Sequence, residues 1–147
     1  MAFRHAAYYL AFLAGQEKAL KGIGQEAALA VIDLEIANVR HAWAWAVAEL
    51  EARNQAAVAL MATALESLYL YYALRSWYQE GADVFAQAAT AVSITLPNNY
   101  LFRGELLARQ AHCLEFTAPS DQALDLYQES LACFNTAAAE REMALPL

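Results

Sequence analysis

Positive charge is scarce in this sequence, and what there is stands alone. Nine Lys and Arg residues face sixteen Asp and Glu, for a formal net charge of −7. The nine (Arg4, Lys18, Lys21, Arg40, Arg53, Arg75, Arg103, Arg109, Arg141) never form a run or stripe. A nucleic-acid or anionic-membrane surface needs a clustered positive field to displace counterions, so neither partner is expected for this segment. Cysteine is equally sparse. Cys113 and Cys133 lie too far apart in sequence for a metal-ligand spacing and are too few for a disulfide-stapled secreted domain. Buried, reduced thiols in a cytoplasmic protein are the expectation. Only three prolines and five glycines interrupt the chain, and Val and Ile are few, which argues against a β-rich fold. The opening Met1-Ala2-Phe3-Arg4-His5 lacks the form of a signal peptide. The charge-free apolar stretch around Gln55–Leu65 is too short to span a bilayer.

What remains is helix. Hydrophobic residues make up 60% of the chain, Ala and Leu supply much of that share, and apolar positions recur at steps of three and four. The punctuation predicts six helices: Arg4 to Lys21, closed by Gly22-Ile23-Gly24; Gln25 to Glu51, with a bend or break near Asp33–Asn38; Gln55 to Leu74 behind an Asn54 cap; a helix to Val92 opened by a capping box at Ser76-Trp77-Tyr78-Gln79; Tyr100 to Phe116 after Pro97-Asn98-Asn99; and Asp121 to Ala139. Short connections make these antiparallel hairpins. The domain reading is a lead-in hairpin at 1–53, a degenerate repeat hairpin at 54–98, a repeat hairpin at 99–139, and a linker or the start of a further helix at 140–147.

Two hairpins align internally. Leu107, Ala111, Leu114, Ala123, Tyr127 and Ser130 occupy the large-small-large, small-x3-aromatic-x2-small places of the tetratricopeptide signature. Leu65, Tyr69, Tyr72, Gly81, Phe85 and Ala88 stand at the same offsets, with Tyr69 where the pattern wants a small residue. The predicted fold is all-α, a right-handed αα superhelix of about three tetratricopeptide-like hairpins. In such a stack the first helix of each pair lines the concave face. The candidate binding surface is therefore Thr63, Glu66, Leu70, Ala73 and Leu74 with Glu105, Ala108, His112, Glu115 and Phe116, a mixed acidic and apolar groove suited to a basic amphipathic peptide.

The N-terminal half carries two further motifs, Arg4-His5-Ala6-Ala7-Tyr8-Tyr9-Leu10 and Leu34-Glu35-Ile36-Ala37-Asn38-Val39-Arg40-His41-Ala42-Trp43-Ala44-Trp45-Ala46. This resembles the opening of the helical-repeat region in bacterial STAND-type signalling ATPases, including large LuxR-type and AfsR-like regulators and related NB-ARC proteins. An H-x2-YYL helix there precedes a helix matched here by Glu35, Asn38, Arg40, Ala42, Trp45 and Ala46, and then an R-x4-E-G step matched by Arg75, Glu80 and Gly81. Ser76 stands where that family more often has Gly. The resemblance implies a sensor and scaffold region that receives a protein partner or a small-molecule inducer and restrains an ATPase, with this chain a fragment ending at Met143-Ala144-Leu145-Pro146-Leu147 within a longer regulator.

The residues themselves offer no catalytic centre and no cofactor or metal motif. Gly15-Gln16-Glu17-Lys18-Ala19-Leu20-Lys21 has Leu where a phosphate loop needs its second glycine. His5, His41 and His112 fall in three separate helices. Asp121, Asp125 and Glu129 form an i, i+4, i+8 row, read as a solvated outer face in preference to an acidic docking face. Glu35, Asn38 and Arg40 are read as a structural polar network in preference to a ligand-contacting triad. Tyr69, Tyr72 and Trp77 are read as core or, alternatively, as an aromatic pocket for a small molecule, with Tyr71 as the exposed member of the cluster. The remaining alternative is a self-associating scaffold that covers an exposed apolar end.

Overall fold

The computed structural model describes residues 2–52, 54–117 and 120–144, and among these all regular structure is α-helical. Seven helices follow in order: α1 (Ala2–Ala14), α2 (Glu17–Leu20), α3 (Gln25–Glu51), α4 (Gln55–Leu74), α5 (Tyr78–Thr95), α6 (Tyr100–Leu114) and α7 (Ser120–Ala144). They gather into two compact units, 1–76 and 77–147. The division falls inside the 54–98 segment that the sequence reading treats as one hairpin.

In the first unit α1 packs on α3 and α4, α3 packs on α4, and the short α2 touches both longer helices. The apolar steps of three and four explain the arrangement. Leu10 and Leu13 of α1, Ile32, Val39 and Leu50 of α3, and Met61 and Leu68 of α4 are fully buried. Helix α1 stops earlier than its periodicity predicts, because the chain turns at Gly15-Gln16 before the single turn of α2. Helix α3 shows the opposite departure. It runs unbroken through Asp33–Asn38, since its polar side chains find partners on other helices and do not compete for their own backbone. Helix α4 begins under Asn54, whose side chain accepts a hydrogen bond from the Ala56 amide at 3.0 Å.

Helix α4 ends in a way the sequence did not announce. Ser76 has a φ of 60°, and its amide donates to the Ala73 carbonyl at 3.1 Å. This is the left-handed residue that closes a helix, the place glycine usually fills. The expected capping box therefore does not form: Trp77 is the N-cap of α5 and makes no side-chain capping bond.

In the second unit α6 packs on both α5 and α7. Asn99 caps α6, accepting from the Phe102 amide at 3.3 Å. The α6–α7 pair is antiparallel and closely spaced: Ser130 Oγ donates to the Gly104 carbonyl at 2.7 Å, and a Cβ at Gly104 would lie 2.9 Å from Phe134 Cε1 and 3.1 Å from Cys133 Cβ. Helix α7 continues to Ala144, so 140–144 extend it, while 145–147 lie outside the described residues.

Candidate functional site

Several polar groups of the first unit join one helix to another. Tyr71, expected to be exposed, is fully buried, and its hydroxyl donates to Asp33 Oδ1 at 2.6 Å. Arg75 grips the same carboxylate with Nε and Nη2, the Nε bond measuring 3.2 Å. Burial first, and then the bond to Asp33, pushes the Tyr71 phenol up to about 12. The same hydrogen bond, assisted by the Arg75 guanidinium against the effect of burial, holds the Asp33 carboxyl below its usual value. Sequence reasoning missed Asp33, though an acid in an apolar helix carried the same signal as Glu35. The exposure of Tyr71 was misjudged because α4 is enclosed on more than one side, by α1, α2 and α3.

The predicted polar network lies one turn further along α3. Asn38 Nδ2 donates to Glu35 Oε2 at 2.9 Å and to the Tyr9 hydroxyl at 3.2 Å, while Arg40 is exposed. Desolvation, followed by the Glu35 charge, raises the Tyr9 pKa. Phe3 meets Trp45 edge-on, with ring centroids 5.7 Å apart.

The expected concave surface divides between the units. In the first, Glu66, Leu70 and Ala73 are half-buried, and Lys21 Nζ approaches Glu66 to 3.9 Å. In the second, Glu105, Ala108 and His112 are half-buried, and Glu115 and Phe116 are exposed. Phe116 stacks on Tyr78 at 4.2 Å and meets His112 at 5.6 Å. Of the aromatic pocket residues, Tyr69 and Tyr72 are buried in the first unit, and Trp77 opens the second with 39% of its surface exposed.

Among the described residues, two concavities lie in the second unit. One, of about 200 Å³, has walls from α5, α6 and α7, with the Arg103–Glu129 ion pair on its lining beside Leu107 and Leu126. The other, of about 390 Å³, is lined by Glu115, Asp121, Ala123, Leu124 and Tyr127. Leu124 and Leu131 of α7 are more than half exposed. Apolar side chains therefore do accompany the acidic α7, a feature the reading of a purely solvated face overlooked. The seven-residue step between the two leucines was the available signal.

Both thiols are buried. Burial pushes Cys113 up to about 11 and raises Cys133 as well, which suppresses thiolate chemistry. Among the described residues no three His, Cys, Asp or Glu side chains come together as a metal-binding group. Helix α4 is long and apolar enough to cross a membrane by length and composition, since Glu66 is its one charge; half of that apolar window is buried within the chain. The sequence reading had stopped this stretch at Leu65. Comparison with known protein families, with curated proteins and with solved structures finds no match.

Proposed function

We propose that the chain is a non-catalytic recognition and scaffold segment of a larger cytoplasmic signal-transducing ATPase or transcriptional regulator of bacterial STAND type, built as a right-handed stack of tetratricopeptide-like hairpins. It binds a protein or peptide and transmits occupancy to the ATPase. The observation that carries the reading is the use made of the motif residues in the first unit. Tyr9 of the first motif reaches Asn38 and Glu35 of the second. Arg75, which opens the third, holds Asp33 just ahead of the second. Side chains that carry the resemblance thus act as joints between helices, as a scaffold requires. In the second unit, Leu107, Ala111, Ala123 and Ser130 occupy signature places and are buried, which supports tetratricopeptide-like packing of α6 on α7.

The coding sequence around this segment tests the assignment. An upstream G-x4-G-K-[ST] loop between a strand and a helix is expected; an open reading frame without one overturns the ATPase assignment. Binding measurements separate the remaining readings. Concentration-dependent light scattering without a partner would favour the self-associating scaffold. A melting temperature raised by a metabolite would favour the small-molecule sensor, through the stabilisation that follows when only the folded state binds.

A further inference from the structure

The charge of this protein is divided unequally. Residues 1–76 carry seven carboxylates and six cationic side chains, whereas 77–147 carry nine carboxylates and three arginines. Nearly all the net negative charge therefore belongs to the second unit. One of its arginines, Arg103, is paired with Glu129 on the α5 side of the α6–α7 pair, where Leu126 and Leu107 also lie.

The opposite side of that pair has a different character. Leu124, Tyr127, Leu131 and Phe134 follow one another at steps of three and four, so they form one stripe along α7. The stripe borders the α7 face that Ala123, Ser130 and Cys133 bury. Leu101, Glu105, Ala108, His112 and Glu115 form the matching row on α6 by the same spacing. The rows meet at the larger concavity, which Glu115, Asp121, Ala123, Leu124 and Tyr127 line together. Neither Glu115 nor Asp121 has a basic partner among the described residues. Arg109 lies at the edge of the row and acts on Cys113.

We infer that this α6–α7 face docks a cationic amphipathic helix of a partner protein, with its apolar positions along Leu124, Tyr127 and Leu131 and a Lys or Arg side chain between Glu115 and Asp121. The inference rests on the recognition reading above and names its partner class. Charge complementarity selects the occupant. A second copy would bring another strongly acidic surface against this one, and an anionic bilayer would be repelled. Helix-in-groove recognition seats apolar anchors at i, i+3, i+4 and i+7 of the docked helix, and the stripe, at i, i+3, i+7 and i+10 from Leu124, gives such a helix one apolar line to lie along.

The test titrates the full chain against a fluorescent Leu/Lys helix of about 18 residues with apolar positions at that spacing. Its controls are a scrambled peptide and a Leu/Glu counterpart. The expected result is saturable anisotropy for the Leu/Lys helix alone, weakened at least tenfold by the double variant Leu124→Ser/Leu131→Ser and by Glu115→Gln/Asp121→Asn. The charge-matched variant Asp83→Asn/Asp125→Asn should weaken it less than twofold. Equal weakening by the two charge pairs, equal binding of the scrambled peptide, or preference for the Leu/Glu helix overturns the inference. Photo-crosslinking in cells separates this failure from that of the broader reading. Crosslinks from Ile94 or Leu34 with none from Leu131, or crosslinks from Leu131 only to a second copy, overturn this face and leave recognition standing. Absence of crosslinks from every exposed position overturns both.

Discussion

Tyr71 and Asp33 face each other across 38 residues of sequence, and their coupling makes stability depend on pH at both ends of the scale. The fold favours the neutral phenol, so its contribution is complete below the ordinary tyrosine pKa near 10 and is lost as pH rises through about 12. It favours the ionised carboxylate, so that contribution is present above the ordinary Asp value of about 3.9 and is lost as pH falls through the lower folded value. Replacing Tyr71 with Phe should cost about 1–2 kcal/mol at neutral pH, since a hydrogen bond to a charged group disappears at a partly exposed carboxylate. Denaturant melts at about pH 8 and about pH 11 should show a smaller alkaline loss in this variant than in the parent; an equal loss would mean that the phenol is not the titrating group. Ser76 offers the complementary case. Its φ of 60° strains any L residue, so Ser76→Gly should raise stability by about 0.5–1 kcal/mol in thermal or denaturant unfolding. A fall would show that the turn depends on the serine side chain.

At the scale of the helix, close approach governs the α6–α7 pair. An added Cβ at Gly104 would press on the Phe134 ring and on Cys133 Cβ, so Gly104→Ala should destabilise the second unit by about 1–3 kcal/mol despite the better helix propensity of alanine. Denaturant unfolding measures this, and a stabilised variant would mean that α7 can move away freely. In the first unit, Asn38 links α3 to α1 through Tyr9. Asn38→Ala should lower stability by about 1 kcal/mol while leaving any ligand response intact; an unchanged melting temperature with a lost response would move Asn38 into a binding site. Most helix positions were legible in the sequence. Gln25–Glu51 and Gln55–Leu74 appear with the predicted limits, because three-four periodicity and an Asn cap are local signals. The ends of α1, α5, α6 and α7 were not, nor was the continuity of α3. The continuity of α3 depends on partners far along the chain, Tyr9 and Tyr71, whereas the ends of α1, α5 and α6 close through local backbone turns.

For the molecule as a whole, the division of charge leads to a further expectation. Self-repulsion among like charges in 77–147 should be relieved by salt, whereas 1–76 is nearly balanced. Raising NaCl from about 0.05 to about 0.5 M should therefore slow hydrogen exchange in α6 and α7 more than in α3 and α4. Equal slowing in both sets would show that the charges are too far apart to matter. The sequence alone determined that the chain is helical, where most helices lie, and that Ala111, Ala123 and Ser130 are interior, since periodicity, caps and residue size act over a few neighbours. Tertiary structure alone decided that the aromatic ring at 71 is enclosed, that Asp33 answers both Tyr71 and Arg75, that a serine takes the left-handed turn, and which sides of α6 and α7 border one another. Except for the local closure at Ser76, those outcomes depend on contacts between residues tens of positions apart, and a linear pattern carries no distance between them.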